Sequence, residues 1–218
     1  MKCKSEFLTT LQERGFLHQT TDTSKLDIIL KKDLIKGYIG FDCTAPSLHV
    51  GSLIQIMMLR WFQKFGHSPI VLMGGGTTKI GDPSGKDSSR PILSTQEIDK
   101  NKFNIKTIFK KFLNFNNKSN KAIMIDNSLW LDNLNYISFL REYGTSFSVN
   151  KMLSLDSINI RLEREQNLSF LEFNYPIFQA FDFLELNKKY DCILQMGGSD
   201  QWGNIVNGVD LIKKKNKK

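Results

Sequence analysis

The sequence predicts an α/β protein, a Rossmann-like doubly wound parallel sheet with helices on both faces. Three observations predict it. Short apolar runs alternate with amphipathic runs at helical spacing, joined by short links. The run from Tyr38 through a helix to Pro69–Met73 reads as strand, helix, strand, a unit that imposes parallel pairing and a right-handed crossover. Two strands, beginning at Tyr38 and at Ile193, each lead through a turn into a helix that carries glycine at its mouth. In an open α/β sheet such turns gather at the carboxyl edge, where free helix N–H groups meet phosphates.

Taken in order, residues 5 to 17 form an amphipathic helical pattern with Phe7, Leu8, Leu11 and Phe16 on one side. A second pattern covers Leu26 to Leu34, with Asp22, Thr23 and Ser24 as cap candidates. The strand at Tyr38 breaks at Thr44-Ala45-Pro46-Ser47. A helix follows with His49-Val50-Gly51-Ser52 at its start and Ile54, Met57, Met58, Trp61, Phe62 and Phe65 at 3- and 4-residue steps; Gly66 closes it. Gly51 would let a ligand approach the backbone, and His49 would offer a donor beside it. The Pro69–Met73 strand ends in Gly74–Lys86, a stretch with five glycines that is read as irregular backbone rich in free N–H groups and carrying Asp82 and Lys86, with Arg90 just beyond. Either it is a surface loop, or it shares an edge with His49.

Residues 96 to 115 are helical, Ala122–Asn127 a short buried strand, and Tyr136 to Tyr143 a helix ended by Gly144. Residues 145 to 168 are read as helical. In Glu172–Leu186, Tyr175, Gln179 and Asp182 fall at i, i+4 and i+7 on one helix face, amid apolar residues on nearly every other side. Buried polar groups need partners, and a polar ligand would supply them. The strand at Ile193–Met196 then meets Gly197–Asn204, which opens a helix; Ser199 or Asp200 would cap it, and Asp200 could reach a ribose hydroxyl.

The chain has 218 residues, 40% hydrophobic and 24% charged, enough for one core with a small insert. No apolar run approaches the roughly 18 to 20 residues of a membrane span, and Met1 to Thr10 shows no signal-peptide pattern. Cys3, Cys43 and Cys192 are far apart and form no C-x-x-C pair, so neither zinc nor a disulfide framework is indicated and a cytoplasmic location is expected. Net charge is +8, but five of the thirty positive charges sit in Lys213–Lys218. That tail is read as a solvated end. No internal repeat or linker divides the chain.

Four stretches, in order and spacing, resemble the catalytic domain of bacterial-type tyrosyl-tRNA synthetases, a class I family. They are Tyr38–Ser52, Gly81–Lys86, Tyr175–Phe183 and Gly197–Asn204. The resemblance implies that residues 1–218 form one Rossmann-like catalytic domain with an inserted helical segment at roughly 130–165, and that the activity is tyrosine–tRNA ligation. It implies L-tyrosine, ATP with Mg²⁺, and tRNA(Tyr) as partners, no membrane, no permanently bound cofactor or metal, and a homodimer. By the same resemblance Tyr38 and Asp182 would bind the substrate phenol. Asp82, Tyr175 and Gln179 would hold the α-ammonium, and Gln201 would sit by the carboxylate. Gly40, Asp42, Gly51, Ser52, Gly198 and Asp200 would serve ATP. Thr44 and His49, assisted by Lys86 and Arg90, would stabilise the leaving pyrophosphate in a displacement with no covalent enzyme intermediate.

Two departures stand out. Ser52 replaces the usual second histidine of the class signature, which implies weaker nucleotide binding. The Lys-Met-Ser-Lys-Ser-like loop and the anticodon-binding region, which follow the Gly-Gly-Ser-Asp-Gln-Trp helix in the family, are absent from these residues; Lys151-Met152-Leu153-Ser154 precedes that helix and does not count. Two alternatives stay open at this level: a catalytically silent tyrosine- or RNA-binding remnant, or a different His-x-Gly-x nucleotidyltransferase. The resemblance also carries a geometric requirement, that His49 and Asp182 share one hollow.

Overall fold

The computed structural model describes residues 3–84 and 93–216. Their elements run α1 (Glu6–Glu13), α2 (Thr23–Lys32), β1 (Lys36–Asp42), α3 (Val50–Lys64), β2 (Ser68–Gly74), α4 (Thr95–Phe109), β3 (Ile123–Asp126), α5 (Ser128–Leu131), α6 (Tyr136–Tyr143), α7 (Val149–Leu153), α8 (Asp156–Glu163), α9 (Phe170–Phe173), α10 (Tyr175–Tyr190), β4 (Cys192–Gln195) and α11 (Trp202–Lys215). All strand pairs are parallel and the order is β3-β2-β1-β4. The chain walks outward from β1 to β3, then returns through α5–α10 to lay β4 on the other side of β1. The direction of winding therefore reverses between β1 and β4, and a crevice opens at their carboxyl ends.

Side-chain alternation divides the core into two layers. From β1 and β2, Ile39, Phe41, Val71 and Met73 point into one layer, where Phe7, Ile56, Leu59, Phe62, Ile98, Ile105 and Phe109 of α1, α3 and α4 meet them. Tyr38, Ile70 and Leu72 point the other way, against Phe139, Ala180, Phe181, Leu184 and Leu211 of α6, α10 and α11. A sheet covered on both faces needs strands without a polar side. The near-continuous apolar run Pro69–Met73 answers that need, and every residue of β2 after Ser68 is buried.

Local rules set most boundaries. Asp22 caps α2 by accepting from the Lys25 N–H, and Ser94 with Glu97 forms a capping box on α4. The first helix is shorter than its apolar pattern suggests: it stops at Glu13, because Gly15 takes φ +71° and turns the chain, and Phe16 packs edge-on against Trp61 from outside the helix. The fourth likewise ends at Phe109 rather than near 115. The glycine-rich stretch after β2 does not begin as a surface loop. Gly74 to Thr78 are buried, and Thr77–Lys79 make one 3-10 turn. Residues 145 to 168 hold two short helices, α7 and α8.

Candidate active site

The carboxyl ends of β1 and β4 border a cleft of about 420 Å³. From the sequence-predicted set it gathers Tyr38, Gly40, Asp42, Thr44, His49, Ser52, Asp82, Tyr175, Gln179, Asp182, Asp200 and Gln201. His49 and Asp182 thus share one hollow, as the resemblance requires. Lys86 and Arg90 lie outside the described residues. Gly51 and Gly198 are not among the lining residues. A Cβ on Gly51 would stand 2.8 Å from Cε1 of His49, and one on Gly198 would stand 2.3 Å from Oδ1 of Asp200. At each of the two, the missing Cβ makes room for a side chain of its own turn. Gly40 is different: a Cβ there meets nothing within 4 Å, so its backbone faces open space in the cleft.

At one end of the cleft lies Asp182, 2% exposed on α10. Its Oδ1 accepts from the indole Nε1–H of Trp130 at 2.7 Å and its Oδ2 from Nδ2 of Asn127 at 2.9 Å. Burial pushes its carboxyl up to about 7; those two donors pull the other way, while Asp42 and Glu185 push further up. Tyr38, 1% exposed, faces the same pocket, and its hydroxyl has no hydrogen-bond partner among the described residues. Burial and then the Asp182 charge hold that phenol well above its ordinary range, so it stays protonated.

Toward the other end, Asp42 accepts from Thr77 Oγ1 at 2.7 Å and from the Tyr175 hydroxyl at 3.0 Å. Asp82 accepts from the Ser84 N–H and from Nε2 of Gln201, both at 2.9 Å. Gln179 and Gln201 each accept from Nδ2 of Asn204, at 2.9 and 3.1 Å. The three polar residues stacked on α10 therefore do have partners, and they are protein groups. Asp42, Asp82, Asp182 and Asp200 all line the cleft, and the facing cationic candidate among the described lining residues is His49. Such a wall attracts an ammonium group.

The turn after β1 is fastened on both sides. The Cys43 N–H donates to Thr78 Oγ1 at 2.8 Å, and the Cys43 carbonyl accepts from Nδ2 of Asn101 on α4 at 2.9 Å. His49 then caps α3: its Nδ1 accepts from the Gly51 N–H at 3.1 Å. In the neutral ring this leaves the proton on Nε2, which is the nitrogen able to donate into the cleft. Neither Ser199 nor Asp200 caps the helix after β4; Asp200 instead accepts from Gln201 Nε2 at 3.0 Å. Among the described residues no three His, Cys, Asp or Glu side chains cluster to hold a metal ion.

Sequence reasoning missed Asn127, Trp130, Thr77 and Asn204. Asn127 ends the strand expected at Ala122–Asn127 and directly follows β3 in the structure, and a polar residue at the carboxyl end of a buried parallel strand was the available signal. Trp130 carried none, since its one-turn helix is too short to show periodicity.

The family model for class I tRNA synthetases (W and Y) matches residues 30–218. The chain belongs to that family. Its curated relatives include the tyrosine–tRNA ligase of Wolbachia pipientis subsp. Culex pipiens (strain wPip), 63% identical over 217 residues, covering 99% of this chain and 52% of the relative. The tyrosine–tRNA ligase of Beijerinckia indica is 64% identical over 207 residues, covering 95% of this chain and 49% of the relative. The chain thus spans about half the length of the curated relatives it matches. Among solved structures, the C-terminally truncated mitochondrial tyrosyl-tRNA synthetase of Aspergillus nidulans superposes with a TM-score of 0.90 at 31% identity, covering 99% of this chain and 63% of that one. The tyrosyl-tRNA synthetase of Archaeoglobus fulgidus, complexed with L-tyrosine, shares the fold at a TM-score of 0.67 and 17% identity, over 89% of this chain and 55% of that one.

Proposed function

We propose that these 218 residues form the catalytic domain of a tyrosine–tRNA ligase, with the helical segment at roughly 130–165 inserted into it. The domain binds L-tyrosine and ATP, joins the amino-acid carboxylate to the α-phosphate with release of pyrophosphate, and passes the tyrosyl group to tRNA(Tyr). The observation that carries this reading is the pairing at one end of the cleft. A phenol with no hydrogen-bond partner among the described residues, Tyr38, and a buried carboxyl that two protein donors hold in place, Asp182, face one pocket. A substrate hydroxyl can donate to Asp182 and accept from Tyr38 at once. An amino acid lacking that hydroxyl leaves the buried Tyr38 phenol unpaired, which costs about 1 to 3 kcal/mol, and leaves Asp182 with its two protein donors alone. Selection of tyrosine over phenylalanine in this family is a worked example in general treatments of specificity, so its size is no prediction of ours.

The remaining roles follow from charge and position. Asp82, Tyr175 and Gln179 hold the ammonium group, and Gln201 lies by the carboxylate. Gly40 leaves space for the adenylate, with Asp42, Ser52 and Asp200 near the nucleotide. Thr44 and the Nε2–H of His49 face the phosphates, where donors placed for developing charge lower the barrier. Lys86 and Arg90 assist there, and Mg²⁺ enters with ATP as part of the substrate.

The protein works in the cytoplasm; its three cysteines are buried and unpaired, and no helix among the described residues is long and apolar enough to cross a membrane. It pairs as a homodimer through the inserted segment, where Leu129, Tyr136, Ile137, Val149 and Ile160 are exposed. The test is tyrosine-dependent ATP–pyrophosphate exchange, measured on this chain and on any longer frame that contains it, with sedimentation for the dimer. Absence of exchange in the longer frame, together with no thermal protection by tyrosine, refutes the ligase reading.

A further inference from the structure

One polar thread crosses the cleft from end to end, and its middle member belongs to none of the stretches that carry the family likeness. Asn127 Oδ1 accepts from the Gly76 N–H at 2.8 Å, which fixes the orientation of the amide. Both hydrogens of its Nδ2 are then committed, one to Asp182 Oδ2 at 2.9 Å and one to Thr77 Oγ1 at 3.0 Å. Since that hydroxyl accepts from Asn127, its single hydrogen goes to Asp42 Oδ1 at 2.7 Å. Asp42 receives the Tyr175 phenol on its other oxygen. Every hydrogen in the thread has one direction.

We propose that the Thr77 hydroxyl is a positioning group that ties the ammonium end of the amino-acid site to its phenol end. It acts through Asp42 on one side and Asn127 on the other. The packing leaves it no slack. Thr77 is 2% exposed, and a Cβ on Gly74 would stand 2.6 Å from its Oγ1 and 2.1 Å from Asp42 Oδ1. Glycine at 74 is what allows the hydroxyl and the carboxylate to meet. Removing the hydroxyl takes an acceptor from an Asn127 hydrogen and a donor from Asp42 together, so both ends of the site loosen. This inference rests on the tyrosine-site reading above for its meaning, but its geometry does not.

The test uses Thr77→Val, which keeps the shape and deletes the hydroxyl, and Thr77→Ser, which keeps the hydroxyl. The indole Nε1–H of Trp130 bonds Asp182 directly, so its NMR resonance followed from pH 5 to 9 reports that carboxyl without any ligand. The titratable groups facing Asp182 are Tyr38 and Asp42 from β1 and its end, and Tyr175 and Glu185 from its own helix. Deleting the anchor of Asn127 weakens a donor to Asp182, so the midpoint in Thr77→Val should rise by about half a pH unit or more, while Thr77→Ser stays with the parent. Calorimetry with L-tyrosine should show affinity about tenfold weaker in Thr77→Val and close to the parent in Thr77→Ser. An unmoved midpoint in Thr77→Val, or a serine variant that behaves like valine, overturns the role of Thr77. A shifted midpoint in a chain that binds no tyrosine upholds the thread and refutes the ligase reading instead.

Discussion

Replacing Asp182 by asparagine probes the electrostatics of the site through protein stability. In the folded chain burial raises this carboxyl from 3.8 to about 7. About three pH units at 1.36 kcal/mol each come to about 4 kcal/mol of differential cost for the charged form. The folded state keeps a proton that the unfolded chain releases between about pH 4 and 7. The unfolded state therefore binds fewer protons in that window, and stability falls as pH rises through it, levelling off above 7. From pH 5 to pH 8 the penalty grows by about 2 to 3 kcal/mol. Asparagine has no proton to lose. Its amide nitrogen must face one of the two donors, Asn127 Nδ2 or Trp130 Nε1, at a cost of about 1 to 3 kcal/mol that does not change with pH. The expected result of urea unfolding is that Asp182→Asn gains about 2 to 3 kcal/mol on the parent between pH 5 and pH 8, whatever its starting offset. Parallel stability curves for the two proteins would refute a charged, buried Asp182. The same variant should lose most of its tyrosine affinity, because the amide offers one acceptor where the carboxylate offers several.

Four further substitutions have expected outcomes. Gly40→Ala meets open space and should shift stability by no more than about 1 kcal/mol, while weakening protection by ATP; Gly74→Ala drives a methyl into Asp42 and should cost about 2 kcal/mol or more, read by thermal unfolding of both variants. In Gly51→Ala the His49 ring must leave the Gly51 N–H; the lost cap, about 1 kcal/mol, is offset by a similar gain in helix propensity, so unfolding should barely change while pyrophosphate exchange in the longer frame drops. Arg161 and Glu172 form an ion pair at 3.0 Å, 2% and 3% exposed. Arg161→Met breaks a buried ion pair and should cost about 3 kcal/mol in denaturant unfolding, and a loss below about 1 kcal/mol would show the pair to be idle.

Much of the fold was legible because its causes are local. Short continuous apolar runs, 3.6-period stripes and caps such as Asp22 are written within a few residues of what they shape. Side chains that act alone at a turn, such as His49, were legible for the same reason. The glycines were only half legible: their presence is in the sequence, but what lies against the missing Cβ, open space at Gly40 and a neighbouring side chain at Gly51, Gly74 and Gly198, is set by the tertiary packing.

Sequence by itself determined the class of the fold, the parallel βαβ beginning and the set of turns with polar groups to offer. It could not determine that β4 returns to the far side of β1, since nothing local encodes which edge a strand joins. Tertiary structure alone decided that Asn127 lies against Asp182, 55 residues away in the chain, and that Thr77 reaches Asp42 across 35. A hydrogen bond acts over about 3 Å of space, and in a wound sheet the packing of the layers decides which distant residues come that close.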